Sequence, residues 1–431
     1  MKSPEFLPAG LPQVAVLIAL LFTGATVATA QTETVLYSFQ KNGSDGILPS
    51  SGLIASQSGA LYGTTQEGGS GPCNSGCGTI YELTPPAILG NPWTEEIIYS
   101  FQGEYTDGEF PSGNLALDNG GALYGAAGGG AYGYGVIYKL TPPPAPGGAW
   151  TETVLYSFPS TRRSGEPNGS LVFDKFFSLY GTTFLGGAYG LGAVFKLTPQ
   201  ASGIWTLTIL YSFQGGADAQ IPMNGLTFDS AGALYGTTSS GGQHGAGAVF
   251  KLTPPAAKGA SWTETVLYSF EGPSDGDYHT GSLILDTAGS LYGATNIAGP
   301  GFGAIFKLSP PASSGNPWAY TVLYNFVRGS DGCLPAGGTI FGGNGALYGT
   351  AAECGDSGFG TVFKLVPPSR QGEFWGEHVL HSFPGGSDGA EPTSPLTLFN
   401  DSLYGTTYLG GTGNCTAYPA NGCGTVFQVT P

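Results

Sequence analysis

The sequence predicts an all-β domain over residues 31–431, a seven-bladed β-propeller of four-stranded antiparallel blades. Three observations carry that prediction. A unit of about 57 residues repeats seven times, marked by Leu-Tyr-Gly at Leu61, Leu123, Leu179, Leu234, Leu291, Leu347 and Leu403. Each copy adds three more short extended words: Tyr-Ser-Phe, Leu-x-Phe-Asp and Gly-Thr-Val-Phe-Lys-Leu-Thr-Pro. The 75 glycines stand at fixed places between these apolar words, so they read as turns rather than as a disordered linker.

The copy around Leu234 shows how the words become a blade. Leu226–Asp229, Ala233–Thr238, Ala248–Thr253 and Trp262–Phe270 are strands, separated by a Ser-Ala-Gly turn, a Gly-rich loop and a Pro-rich loop. A strand such as Thr265–Phe270 is bulky on both alternating faces, which suits a sheet covered on both sides by neighbouring blades. The Leu-x-Phe-Asp word follows small residues, as in Asn168-Gly169-Ser170 and Asn224-Gly225, and is placed innermost, where backbones crowd an axis. The Trp-Thr-Glu-Thr-Val-Leu-Tyr-Ser-Phe word is placed outermost, its Glu96, Glu152, Glu264 and Glu377 guarding an exposed edge. Residues 31–39 are then an outer strand without a blade, and 396–431 are three strands without an outer one. The N-terminal strand is expected to complete the last blade.

Residues 1–30 read as an export signal, with Lys2, an apolar run from Val14 to Phe22 and a small-residue cleavage site at Ala28-Thr29-Ala30. A membrane anchor is the alternative, but the run is short for a bilayer. The expected location is secreted or periplasmic. Removing Lys2 and Glu5 with the leader leaves the net charge at −16, with no basic stripe, which excludes nucleic acid and anionic membranes as partners. No membrane insertion is expected once the signal is cleaved.

In an exported chain the six cysteines should pair. Cys73 with Cys77 and Cys415 with Cys423 each close a long loop, in the first and seventh copies. Cys333 and Cys354 lie in two different loops of the sixth copy that the blade order brings together on one face, here the upper face. The two long stapled loops raise one side of that rim, either for binding or for protection from proteolysis. Cys73-x-x-x-Cys77 lacks a nearby His, so no metal is assigned to the thiols.

An aspartate recurs in the loop entering each blade: Asp45, Asp107, Asp218, Asp275, Asp331 and Asp388, with Ser164 in the third copy. These six are the candidate ligand-binding residues. The alternative is turn formation, each carboxylate accepting nearby amides. Calcium is conceivable but unsupported, since most copies offer one acidic position and only Asp275 and Asp277 form a local pair. No other cofactor is expected. Asp118, Asp174, Asp229 and Asp286 end inner strands at lower-face turns. The repeated Tyr62 and Tyr235 are read as packing between blades, and the tryptophans from Trp93 to Trp375 as lower-rim residues able to contact sugars. His244 and His279 lie in upper loops of neighbouring blades, and His378 and His381 lie in an outer strand. No nucleophile and base pair up, so no catalytic residue is assigned.

With Leu36-Tyr-Ser-Phe, Leu61-Tyr-Gly-Thr-Thr, Gly68-Gly and Gly360-Thr-Val-Phe-Lys-Leu in place, the chain resembles the GloVer tandem-repeat family along essentially its whole mature length. It is more loosely similar to NHL-type propellers in word order. The resemblance implies an exported bacterial protein without assigned activity. Many members carry a C-terminal sorting anchor, whereas here the repeat word Val426–Pro431 closes the sequence, so free secretion or a periplasmic location is expected. The functional expectation is a binding or scaffold module for an extracellular glycan or protein. Two alternatives stand beside it: a polysaccharide hydrolase or lyase using upper-face carboxylates, and a purely structural surface protein.

Overall fold

A computed structural model describes residues 32–431 except 89, 104, 106, 160–164, 258, 299–300, 314, 371–372 and 417–419; the leader and Ser164 lie outside the described residues. Seven antiparallel sheets form the blades, each running from an inner strand through the Leu-Tyr-Gly strand and a third strand to an outer strand. In blade 2 these are Glu109–Leu117, Leu123–Gly128, Val136–Thr141 and Thr151–Ser157. Blade 7 is assembled from both chain ends. Thr32–Ser38 pairs with Thr425–Thr430, Thr32 opposite Thr430 and Ser38 opposite Thr425, so the expected closure is the one observed.

The inner strands are longer than the Leu-x-Phe-Asp word suggested. In blades 2, 5 and 6 they begin well upstream, at Glu109, Asp277 and Cys333. In blades 1 and 4 the same path breaks into two pieces, Gly46–Pro49 with Ile54–Ala55 and Ala219–Pro222 with Thr227–Phe228. The breaks hold Gly52 and Gly225, whose Cβ atoms would lie 2.7 Å from Pro395 and 2.5 Å from the Ser282 hydroxyl, and the unbroken strands are equally crowded at the axis. A Cβ on Gly281 would lie 2.4 Å from the Gly337 carbonyl oxygen, and one on Gly337 would lie 2.3 Å from the Pro395 nitrogen, so neighbouring blades touch there backbone to backbone.

Between blades the core repeats one joint. The Phe of each Tyr-Ser-Phe word is buried and packs edge-on against a ring on the third strand of the next blade. Phe39 meets Tyr81 at 5.0 Å, Phe101 meets Tyr138 at 5.2 Å, Phe213 meets Phe250 at 5.1 Å and Phe383 meets Phe427 at 5.1 Å between centroids. The receiving ring lies over the Gly of its own blade's Leu-Tyr-Gly strand, to which it is paired in the ladder, as Phe250 is to Gly236. An aromatic side chain thus covers the apolar gap a bare glycine leaves.

The three disulfides join Cys73 to Cys77, Cys333 to Cys354 and Cys415 to Cys423, as the loop assignment requires. The second spans 21 residues and ties the start of an inner strand to the end of the Leu-Tyr-Gly strand beside it.

Replacing Gly236 by Ala places a methyl 2.6 Å from the Phe250 ring tip. The ring is held by Phe213 and cannot retreat, so chemical denaturation should show a loss of about 1–3 kcal/mol. An unchanged midpoint would mean the glycine is not there to admit the ring.

Candidate functional site

The six recurring aspartates do not ring the channel. Each turns outward between two blades and accepts a hydrogen bond from the residue at the Tyr position of the preceding Tyr-Ser-Phe word. Tyr37 donates to Asp45 at 2.9 Å, Tyr211 to Asp218 at 3.0 Å, Tyr268 to Asp275 at 2.6 Å and Tyr324 to Asp331 at 3.1 Å, and Tyr99 donates to Asp107. Five of these carboxylates also accept the backbone amide three residues after that Tyr: Gln40, Gln102, Gln214, Glu271 and Val327. Turn chemistry fixes where they point. At Asp388 the partner is His381, whose Nε2 lies 2.8 Å from Oδ2.

A glutamate completes four of the Tyr-Asp joints. Glu152, Glu264 and Glu377 were expected, with Glu96, to guard an exposed edge. Along this strand exposure alternates, and Glu95, Glu152, Glu264 and Glu377 fall on the inward face, while Glu96 is exposed. In each of the four inward residues, Oε1 is out of solvent and without a hydrogen-bond partner. Burial first, then the charge of Asp45, Asp107, Asp218 and Asp331 respectively, pushes these carboxyls from 4.5 to about 7. In blade 5 Tyr320 takes the Glu position, stacks on Tyr268 at 4.5 Å and donates to the Asp275 carbonyl. In the third copy, which has Ser164 in place of Asp, Leu207 stands where all the other copies except the fifth have Glu. Both acids are lost together in the third copy, a signal readable in the sequence, whereas the fifth keeps Asp275 and has Tyr320 for the Glu.

The joint at blade 7 differs from the four. Glu33 of the closing strand faces Asp388 and His381, and the ligating atoms of the three all lie within 4.8 Å of one another. Burial and the charge of Asp388 raise the Glu33 carboxyl. Burial also works to raise Asp388, but its hydrogen bonds with His381 and Glu33 bring it below the usual carboxylate range.

The axis opens on the upper face into a cavity of about 280 Å³ to which every blade contributes. Asn114, Asn168, Ser170, Asn224, Ser282 and Thr393 supply amides and hydroxyls, and the half-exposed Met223 supplies an apolar patch. No carboxylate is among the described residues that line it. His279 also lines it but is buried against Phe270 at 3.8 Å between centroids. Burial drives its imidazole down to about 3, the Ala246 backbone opposing only in part, so it stays neutral. His244 is exposed, and so is His378. These histidines form no constellation with the candidate aspartates.

Sequence reasoning missed a group of exposed aromatics on the same face. Tyr105 and Phe110 at the start of blade 2, Tyr132 and Tyr134 in its upper loop, and Tyr189 in the matching loop of blade 3 all reach solvent. The tryptophans proved less available. Trp150 packs on Tyr62, Trp93 on Tyr404 and Trp205 on Tyr124, each Trp reaching the Leu-Tyr-Gly tyrosine of the blade before. The lower-face aspartates hold their turns: Asp118 accepts the amides of Gly120 and Ala122 and the hydroxyl of Tyr124.

The sequence profile of the Gloeobacter/Verrucomicrobia repeat matches residues 21–175 and 126–339. The chain belongs to the Gloeobacter/Verrucomicrobia repeat family. No curated protein matches it. Solved structures that resemble this Gloeobacter/Verrucomicrobia repeat protein are distant. One is a putative oxidoreductase (glucose dehydrogenase) from Thermus thermophilus, 15% identical, covering 93% of this chain and 99% of its own, with a TM-score of 0.42. A protein of unknown function from Dyadobacter fermentans is 12% identical over 93% of this chain and 99% of its own, with a TM-score of 0.43. A polysaccharide lyase is 11% identical over 91% of this chain and 92% of its own, with a TM-score of 0.49.

The half-buried glutamates give this family member a pH response. Glu95, facing Tyr37, Asp45 and Glu96, and Glu152, Glu264 and Glu377, each facing one Asp, hold protons when folded that the unfolded chain releases between 4.5 and about 7. More protons on the folded state means stability falls as pH rises through that window. The melting temperature should therefore be higher at about pH 5 than at about pH 8. Glu152→Gln, which keeps the shape and cannot ionise, should raise it at the higher pH and change it little at the lower. A profile that rises toward alkaline pH would contradict proton uptake by these glutamates on folding.

Proposed function

We propose that this propeller is an exported binding module that takes an uncharged, hydroxyl-rich ligand, of which a glycan is the natural class, at the upper mouth of its channel. The observation that carries this reading is the lining of the mouth: amides and hydroxyls from several blades, with no carboxylate among them. Asn114 and Asn168, whose Oδ1 atoms accept the Gly52 and Gly169 amides, offer amide donors, and Asn224, whose Nδ2 bonds Thr237 and the His279 carbonyl, offers an acceptor, all without the desolvation cost of a charge. The exposed Tyr132, Tyr134 and Tyr189 add flat apolar faces on the same side of the molecule, the surface a sugar ring stacks on.

The six aspartates first considered as ligand contacts are engaged in blade joints, so the binding surface is better sought at the mouth and the blade 2–3 loops. The same fact weakens the alternative of a hydrolase or lyase that uses these upper-face carboxylates, since hydrolysis would need two carboxyls at the substrate. Three disulfides fit an extracellular or periplasmic setting.

A glycan array with neutral and anionic members tests the reading. Neutral glycans should be retained, and Met223→Trp, which fills the mouth from a half-exposed position, should weaken the hits at least about tenfold, a loss of roughly 1.4 kcal/mol. Binding confined to anionic glycans, or hits indifferent to Met223→Trp and to Tyr132→Ala with Tyr189→Ala, would overturn it.

A further inference from the structure

We propose that Glu33, His381 and Asp388 form a site for a single divalent transition-metal ion, zinc being the best fit, at the joint where the two chain ends close the ring. Three separate segments deliver the ligands. Glu33 comes from the closing strand Thr32–Ser38, His381 from the outer strand Gly376–Ser382 of blade 6, and Asp388 from the loop entering blade 7. Their donor atoms lie within 4.8 Å of one another, close enough to converge on one ion with small rotamer adjustments.

The comparison with the other joints points to a ligand. At Tyr37–Asp45–Glu95, Tyr99–Asp107–Glu152, Tyr211–Asp218–Glu264 and Tyr324–Asp331–Glu377 the first member is a phenol, which donates a proton to Asp and is a poor ligand while it keeps one. At this joint alone the phenol is replaced by an imidazole. An imidazole presents a lone pair when neutral, and it stands 2.8 Å from Asp388 with four-fifths of its side chain removed from solvent. Beside it, Glu33 shares a side-chain hydrogen bond with Asp388, and its Oε1 is shielded and has no hydrogen-bond partner, as in the other glutamate joints. One nitrogen and two carboxylate oxygens are a set that zinc and its neighbours accept, with a further position left for water. Calcium prefers six or more oxygens and is the poorer fit.

Bound there, the ion would clasp the closing strand to blade 6 and to the entering loop of blade 7, so metal affinity and ring closure are linked. The proposal is independent of what the channel mouth binds.

The test compares the wild-type chain with His381→Tyr, which rebuilds the joint found in four other blades and should fold normally. Wild type should retain one zinc per chain through equilibrium dialysis, show visible bands with cobalt in its place, and melt at higher temperature when zinc is added. His381→Tyr should bind more weakly by more than the roughly 100-fold typical of losing an outer partner of a ligand, and zinc should no longer move its melting temperature. His244→Ala with His378→Ala, which removes two exposed imidazoles, should leave binding intact. Zinc absent from the wild type, equal retention by His381→Tyr, or loss on removing the exposed histidines would each overturn the site.

Discussion

Seven times over, an α-carbon without a side chain receives an aromatic ring, and that ring receives the Phe of the blade before. The Gly of Leu-Tyr-Gly is fixed by this contact: Gly63 lies under Tyr81, Gly236 under Phe250 and Gly405 under Phe427, at separations no Cβ would tolerate. Because the ring joins its own sheet to the neighbouring one, each blade is incomplete alone. The repeat is legible in sequence for the same reason, since every copy must satisfy both neighbours with the same words. The Pro that follows the loop aspartate obeys a related rule. Pro111 and Pro222 close against Gly78 and Gly192 of the preceding blade, so the Gly opening each third-strand word is also set from outside its own sheet.

What the sequence revealed follows this division. Strand order and all three disulfides came from words and spacings within a copy, properties of single hairpins and loops, and the closing strand came from the words left over at the two chain ends. The direction of Glu152, Glu264 and Glu377 did not, because it depends on what the next blade places opposite. An edge strand with charges reads as guarded, yet the guard here folds inward and finds an aspartate. Two sequence signals could have shown it: the joint loss of both acids in the third copy, with Ser164 and Leu207, and the single exchange of Tyr for His at His381. The channel lining was illegible for a different reason. Asn114, Asn168 and Asn224 are ordinary loop-like residues one copy at a time, and only closure of the ring brings them around one opening.

The chain's acidity also acquires a structural meaning. Part of the net charge of −16 written for neutral pH is held as protonated carboxyls in the blade joints, where burial and a facing aspartate keep them neutral into the neutral range. Charge is thereby kept away from the channel mouth, which presents amides and hydroxyls. Among the described residues these acids lie between blades and none lines the opening, and the aromatic loops of blades 2 and 3 lie on that same face.

All of this requires that the ring be closed by the N-terminal strand as firmly as it is built elsewhere. Native-state hydrogen exchange tests that claim most directly. The account predicts that amides of Thr32–Ser38 bonded to Thr425–Thr430 exchange as slowly as those of an internal third strand such as Ala248–Thr253, opening only when the whole domain unfolds. Rapid exchange confined to Thr32–Ser38, with the other blades still protected, would contradict it.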